Sequence, residues 1–362
     1  MNKTLSTILA VQAETGDIQA QDSIAEVVIK LIRSKRTDLK VVHDKDIGYF
    51  LTVGETPKYY PCFMAHLDQV HELQSDFRVW QADKLWFATS NNYQVGIGAD
   101  DKAGLYAIVR LLQVLPAAKA CLFYDEEMGC LGSSSIDGKS KKWFNDVSVV
   151  VGIDRAGAHD LISRTNGLTV TSRKLMKQLK PLMQRYGFKK AVGSFSDVGE
   201  VVEITDIAGF NISCGYYKAH TDYETLNSQQ LHTTIKFLYK VAIDFTFREK
   251  QFRKPIMKRK KSKTRIGAWR GRSYGNYDIS HSTRNTDNNR CILCGELIDR
   301  DRSYCPECYD GIILGKYDQS TDLEDDQDDY HYCDYCRTYK PAYQFYNLSP
   351  SQRLCNTCAT LR

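Results

Sequence analysis

The first 247 residues alternate short apolar runs with segments of helical periodicity, and this alternation limits the fold more than any other feature of the sequence. Four runs have the length and composition of buried strands: 59–65, 120–124, 147–153 and 210–215. Segments of helical periodicity precede, separate and follow these runs, and such alternation is typical of an α/β sheet. We therefore predict an α/β fold with an open, mostly parallel sheet and helices on both faces.

Apolar residues recur at helical spacing in three segments, which we predict to be helices: 24–32, 105–112 and 231–245. The first helix is expected to begin at Ser23, which could form a capping box with Glu26. The second should end before Pro116, because proline lacks the N–H group that the helical hydrogen-bond ladder requires.

The composition changes abruptly after residue 247. Residues 248–290 contain fourteen Lys or Arg and three acidic residues, whereas the whole chain has a formal net charge of +5. This segment lacks apolar periodicity, and we expect a basic, disordered linker. The predicted organisation is an α/β domain, the basic linker, a first cysteine block, an acidic spacer and a second cysteine block, at 1–247, 248–290, 291–310, 311–330 and 331–362.

Eight of the twelve cysteines lie after residue 290, in four Cys-x-x-Cys pairs. Two such pairs suit a tetrahedral zinc ion held by four thiolates, so we expect two structural zinc sites that resemble small zinc ribbons. The alternative is that these cysteines form disulfides or are simply buried. Metal-held thiolates fit a reducing compartment, which favours a cytoplasmic location. The expected ligands are Cys291, Cys294, Cys305 and Cys308 at the first site and Cys333, Cys336, Cys355 and Cys358 at the second.

Histidine and carboxylate side chains follow each predicted strand or precede a predicted helix. They are His66, Asp68, Asp100, Glu126, Glu127, Asp154 and His220. In an open α/β sheet the ligand crevice lies outside the carboxyl ends of the strands, so these side chains should meet at one edge of the sheet. Imidazole and carboxylate groups are ligands that suit zinc. The sequence therefore predicts a metal site at this edge.

The motifs that contain these residues resemble those of the co-catalytic dizinc exopeptidases, which include peptidase T and aminopeptidases without a lid domain. The matching motifs are His66-Leu67-Asp68, the runs 98–104 (Gly-Ala-Asp-Asp-Lys-Ala-Gly) and 125–133 (Asp-Glu-Glu-Met-Gly-Cys-Leu-Gly-Ser), Asp154 and His220. The resemblance covers about residues 1–247, in the order of the family. Several relatives insert a lid between the last two ligands, but here only 65 residues separate them, so the lidless aminopeptidases are the nearer group.

The resemblance implies that the α/β domain is a catalytic domain with two divalent metal ions, expected to be zinc. One ion would be held by His66, Asp100 and Asp154, and the other by Asp100, Glu127 and His220. Asp68 would orient His66 through its second ring nitrogen. Glu126 would be the general base. The implied reaction is hydrolysis of an amide bond in a small peptide by a metal-activated water.

Two other functions remain open at this stage. The substrate could be an acylated amino acid, because metals and base do not distinguish what flanks the amide bond. Alternatively, the chain could be a binding protein. Its peptidase-like domain would then be a scaffold, and the basic linker and zinc tail would bind nucleic acid or another protein. A membrane partner is not expected, since no apolar stretch reaches the length of a spanning helix.

Overall fold

Two sheets form the centre of the domain in the computed structural model, which describes residues 2–56, 58–255, 330–332 and 339–341. Fourteen strands make up these sheets, in chain order β1 Lys40–Asp44, β2 Gly48–Val53, β3 Tyr60–His66, β4 Arg78–Ala82, β5 Leu85–Ser90, β6 Tyr93–Val95, β7 Ala118–Phe123, β8 Val147–Arg155, β9 Asp160–Thr165, β10 Leu168–Thr169, β11 Lys189–Gly193, β12 Gly209–Ser213, β13 Tyr216–Tyr217 and β14 Thr225–Asn227.

The larger sheet has nine strands in the order β1-β2-β7-β3-β8-β12-β9-β10, with β11 also paired to β9. Its four central strands, β7, β3, β8 and β12, are parallel to one another. Strands β2 and β9 flank them in the antiparallel sense. The four predicted strands are therefore confirmed within two residues at each end, and the predicted α/β fold with a parallel centre is confirmed.

Eight helices are described: α1 Lys3–Leu9, α2 Ile18–Arg33, α3 Ala99–Val114, α4 Leu131–Ser134, α5 Arg173–Tyr186, α6 Asp197–Thr205, α7 Ser228–Ile243 and α8 Phe245–Glu249. The capping box predicted at Ser23 is wrong, because α2 begins five residues earlier, where the Asp17 side chain accepts a hydrogen bond from the backbone N–H of Ala20. Helix α3 ends at Val114, before Leu115 and Pro116, as predicted.

Helices cover both faces of the large sheet because side chains alternate along its buried strands. In β3, Phe63 and Ala65 join the larger apolar cluster, to which α1, α2, α3, α5 and α7 contribute. Cys62 and Met64 join a second cluster on the opposite face, with Val198 and other residues of α6. A strand that is buried on both sides has no polar face, so it appears in the sequence as a continuous apolar run.

The second sheet was not predicted. Its order is β13-β14-β5-β4, with β6 also paired to β5. Strands β4 to β6 lie between β3 and α3 in the chain, and β14 pairs with β5 in the antiparallel sense. This pairing joins two segments that are far apart in the sequence, one that follows His66 and Asp68 and one that follows His220.

The domain continues past residue 247 into the segment predicted to be a linker. Phe252 is 7% exposed. Its backbone N–H donates to the carbonyl of Ser148, and its carbonyl accepts from the N–H of Ala208. Lys254 forms an ion pair with Asp206. Residues 248–254 therefore pack on the α/β domain.

Two short strands are described in the tail, β15 Tyr330–Tyr332 and β16 Tyr339–Pro341, and they pair in the antiparallel sense. The eight tail cysteines, the basic residues from 256 to 290 and the acidic spacer lie outside the described residues. Within the ranges described, none of the helices has the length and apolar character needed to span a bilayer.

Candidate active site

Three parallel strands end at the same edge of the large sheet, and each delivers chemically active side chains there. His66 is the last residue of β3, Glu126 and Glu127 follow β7, and Asp154 lies one residue before the end of β8. The edge also receives Asp100 from the first turn of α3 and His220 from the loop after β13. The structure thus brings together the histidines and carboxylates that the sequence analysis assigned to the catalytic site.

The Asp100 carboxylate lies between the two histidines. Its Oδ1 is 3.2 Å from Nε2 of His66, and its Oδ2 is 3.4 Å from Nε2 of His220. Nε2 of His220 is also 2.8 Å from Oε1 of Glu127. On the other side, Nε2 of His66 is 4.0 Å from Oδ1 of Asp154. The Asp100 carboxylate therefore lies within 3.4 Å of the Nε2 atoms of both histidines.

Asp68 is buried beneath His66 and the Glu126–Glu127 loop. Its Oδ1 lies 3.1 Å from Nδ1 of His66, which leaves Nε2 facing Asp100. The backbone N–H groups of Glu126 and Glu127 donate to the two oxygens of the same carboxylate, at 3.0 and 3.2 Å. One buried side chain therefore fixes the ring orientation of a histidine and the position of the acidic loop.

The acidic loop makes a tight turn after β7. Asp125 has a positive φ of 48° and accepts hydrogen bonds from the backbone N–H of Gly16 and from Nε2 of Gln21. Gly132 has room for no side chain, since a Cβ there would lie 2.6–2.7 Å from backbone atoms of Ile47 and Tyr124. The glycine in this motif thus allows α4 to lie close to the end of β7.

Three further side-chain hydrogen bonds lie around the site. The buried thiol of Cys130 donates to Oε1 of Glu126 at 3.5 Å. The hydroxyl of Ser133 donates to Oδ1 of Asp197, the buried first residue of α6. Tyr216 donates to Oδ1 of Asp154 at 3.0 Å.

Glu224 is an important residue of the site that the sequence analysis missed. Its carboxylate is fully buried and accepts hydrogen bonds from the backbone N–H groups of Gly98 and Asp100, at 2.7 and 2.9 Å. Oε2 also lies 2.8 Å from Nε2 of His71. The only signal in the sequence was an acidic residue four positions after His220, directly before the short strand β14.

Gly98 is needed where the chain enters α3. Its φ is +65°, and a Cβ on it would lie 2.5 Å from Oε1 of Gln69 and 2.9 Å from Nζ of Lys102. Asp101 lies in the first turn of α3, where its Oδ1 accepts from the N–H of Gly104 at 2.9 Å. Its Oδ2 accepts from the backbone N–H of His66 at 3.3 Å.

The electrostatics of the site favour a positive charge. Burial by itself would raise the pKa of Asp100, but hydrogen bonds to His220 and His66 outweigh it and hold the pKa below its usual value. The same contacts to Asp100 and Glu127 raise the pKa of His220 to about 10. Burial, with Asp100 nearby, raises the pKa of Asp154 well above its usual range. Several carboxylates so close together are stable only with protons or a cation among them.

The donor atoms fit a divalent metal ion. Atoms of His66, Asp100 and Glu127 lie within 4.8 Å of one another, and so do atoms of His66, Asp101 and Asp154. Imidazole nitrogens and carboxylate oxygens are the ligands of catalytic zinc sites. These groups differ from the two expected ligand sets. The first joins His66 and Glu127, which were assigned to different ions, the second contains Asp101 in place of Asp100, and His220 belongs to neither.

His159 and His232 lie outside the described donor groups. The carbonyl of His159 accepts from the N–H of Lys189, and His232 lines a groove between α3 and α7.

Comparison with solved structures identifies similar folds. The chain is similar to aminopeptidase PepT from Bacillus cereus, at 13% identity and a TM-score of 0.53, covering 66% of this chain and 96% of that one. It is also similar to a tripeptidase from Staphylococcus aureus, at 14% identity and a TM-score of 0.50 over 66% and 96% of the two chains. A TET aminopeptidase from a marine sediment Thaumarchaeota archaeon matches at 10% identity and a TM-score of 0.51, over 67% and 96%.

The sequence itself matches a family model. No curated protein sequence matches the chain. The model of Peptidase family M28 matches residues 51–234, which is half of the chain and includes His66, Asp100, Glu127, Asp154 and His220. The matched segment thus contains the whole cluster of histidines and carboxylates described above, at the edge of an α/β sheet with the fold of known aminopeptidases. The chain therefore belongs to peptidase family M28.

Proposed function

We propose that this metallopeptidase is a two-metal exopeptidase of the aminopeptidase type, acting on small peptides. The observation that carries the proposal is the position of Asp100, whose two carboxylate oxygens face the Nε2 atoms of His66 and His220. A carboxylate placed between two donor groups suits a bridging ligand. The similar structures are named as aminopeptidases and a tripeptidase, which supports peptide ends as the substrate.

Within this proposal His66, Asp100 and Asp154 hold one ion, and Asp100, Glu127 and His220 hold the other. Bound divalent ions, zinc by the chemistry of the donors, would acidify a water and polarise the scissile carbonyl. A side chain must lose its proton before it can bind a metal ion. The nearby carboxylates stabilise a proton on His220, so this proton competes with the metal ion for the ring nitrogen.

Glu126 is proposed as the general base. It accepts the proton of the attacking water and then delivers it to the leaving amine. Burial raises the pKa of Glu126, and the neighbouring charge of Glu127 adds to this effect, so the carboxylate becomes a stronger base. The contacts from Asp68 to its backbone and from Cys130 to Oε1 hold the group in place.

The test compares two adjacent glutamates. Glu126→Gln should bind metal almost normally and lower kcat by about 10²–10⁴, the usual contribution of a positioned acid–base group. Glu127→Ala should lose one metal ion, measured by elemental analysis after metal loading and desalting. If the two variants exchanged these phenotypes, the roles within the pair would be reversed.

A substrate panel tests the reaction class. Metal-loaded protein should hydrolyse dipeptides and aminoacyl amides faster than N-acyl amino acids. Preference for the N-acyl compounds would replace the aminopeptidase proposal with an amidohydrolase that acts on acylated amino acids.

We propose separate roles for the tail. Its eight cysteines would hold two structural zinc ions, so that fully loaded protein carries four metal ions per chain. The basic linker and tail would bind nucleic acid or a protein partner, and the enzyme would be cytoplasmic. The four cysteines of the described part are free thiols, which supports a reducing compartment.

A further inference from the structure

Helix α5 and strand β11 form a strongly basic surface on the peptidase domain. Between residues 172 and 190 the chain has seven Lys or Arg and no acidic residue. The apolar side of α5, with Leu175, Leu179 and Met183, is buried in the domain. All seven basic residues are exposed: Arg173, Lys174, Lys177, Lys180, Arg185, Lys189 and Lys190.

A groove of about 320 Å³ adjoins this surface. Tyr186, the last residue of α5, lines it together with residues of α3 and α7. Among the lining residues are the cations Arg110, Lys236 and Lys240 and a second tyrosine, Tyr239, but no acidic residue. Tyr186 thus connects the basic helix to a groove that combines cations with aromatic rings.

These features fit one kind of partner. Rows of cations bind the phosphates of nucleic acid by releasing counterions, and aromatic side chains in a basic groove stack on unpaired bases. An anionic membrane fits less well, because helices that bind membranes insert their apolar face, and the apolar face of α5 is already buried.

We propose that α5 and the adjoining groove bind single-stranded nucleic acid. Exposed lysines and arginines of α5 contact the phosphates, while Tyr186 and Tyr239 stack on bases in the groove. The proposal is independent of the peptidase reaction, since it uses none of the residues at the sheet edge.

The surface is well separated from the active site. Asp100 lies at the start of α3, whereas Arg110 lies ten residues further along the same helix. At 1.5 Å per residue this is roughly 15 Å. Substitutions on α5 should therefore leave peptide hydrolysis unchanged, and hydrolysis serves as the check that each variant is folded.

The experiment measures binding of the full chain to a fluorescent single-stranded oligothymidylate by anisotropy across a salt series. The test variant is K174E/K177E/K180E on α5. The matched control is K139E/K141E/K142E, which reverses three exposed lysines elsewhere on the domain. Both variants change the net charge by the same amount. A difference in their oligonucleotide affinity therefore shows that the location of the lysines matters and not only the total charge.

The proposal expects the α5 variant to bind at least tenfold more weakly than the control. Its plot of log affinity against log salt should be shallower by about 2, since each lost phosphate contact on a single strand removes about 0.7. Tyr239→Ala should weaken binding about tenfold through lost stacking.

Equal loss in the two triple variants would overturn the proposal, because binding would then depend on overall charge. Binding to vesicles of phosphatidylserine and phosphatidylcholine that depends on the α5 lysines, without oligonucleotide binding, would also overturn it. Unchanged binding in both triple variants would assign all binding to other segments of the chain and reject the surface.

Discussion

Replacing Glu224 by glutamine should weaken both the fold and metal binding, although no part of its side chain is among the proposed ligands. The carboxylate is fully buried and accepts from two backbone N–H groups, those of Gly98 and Asp100, and also contacts His71. Glutamine has the same shape but only one accepting oxygen. Its amide group would face one of these N–H donors and leave that donor without an acceptor.

The magnitude follows from these contacts. A buried donor without a partner costs about 1–3 kcal/mol, and exchanging a charged acceptor for a neutral one weakens the remaining hydrogen bonds. We expect Glu224→Gln to lower the free energy of unfolding by about 2–4 kcal/mol. In a domain of this size that corresponds to a fall in Tm of roughly 5–15 °C. Because the N–H of Asp100 is released, metal affinity should fall by about 10–100-fold, as for other groups that orient a ligand.

The assay combines thermal unfolding of the metal-free full chain with calorimetric zinc titration. Asp222→Asn is the matched control, because Asp222 lies in the same loop and is exposed. It should change Tm by less than about 2 °C and leave zinc affinity unaltered. Equal effects in the two variants, or a normal zinc affinity in Glu224→Gln, would refute the positional role of Glu224.

Three further predictions concern other parts of the domain. Burial raises the pKa of Asp197 to about 8. Between about pH 4 and pH 8 the Asp197 carboxyl therefore keeps its proton in the folded protein but loses it in the unfolded chain. The free energy of unfolding should fall as the pH rises through this range. Asp197→Asn should flatten this dependence in denaturant titrations, and an unchanged slope would contradict the assignment. Gly132→Ala should cost more than about 2 kcal/mol because its Cβ would meet backbone atoms, whereas Gly138→Ala, with open space around it, should unfold like the wild type. Phe252→Ala should lower stability by about 3–5 kcal/mol if residues 248–254 belong to the domain, as its burial indicates; a change below 1 kcal/mol would place the end of the domain at 247.

The central sheet and the positions of the proposed ligands were predictable from the sequence because the signals are local. Strands that are buried on both faces appear as continuous apolar runs, and the residue that follows such a run must lie at the edge of the sheet. His66 is the last residue of β3 and Glu127 lies four residues after β7, so their placement required only the strand ends. The position of Asp100 was equally predictable, because this residue comes just before a segment with clear helical periodicity of its apolar residues.

The second sheet was missed because its strands pair with strands that are distant in the sequence, and local patterns do not show such pairing. Strand β5 pairs with β14, about 140 residues later in the chain, and β4 shows partly exposed, irregular burial. The end of the domain was missed for a related reason. Lysine and arginine around Phe252 gave residues 248–254 the composition of a linker, and only the hydrogen bonds to Ser148 and Ala208 show that they pack.

The sequence by itself determined the fold class, the family and the set of side chains available for chemistry, because apolar periodicity and short motifs are properties of neighbouring residues. The family resemblance already implied a shared Asp100 and an Asp68 that orients His66, but only the tertiary structure shows the contacts that position these side chains and the part that Glu224 takes in them. Asp100 faces both histidines, Asp68 holds a ring and a loop together, and Glu224 reaches back across more than 120 residues to the N–H of Asp100. These roles depend on distances between segments that the chain brings together only when the apolar core forms, and no local pattern encodes them.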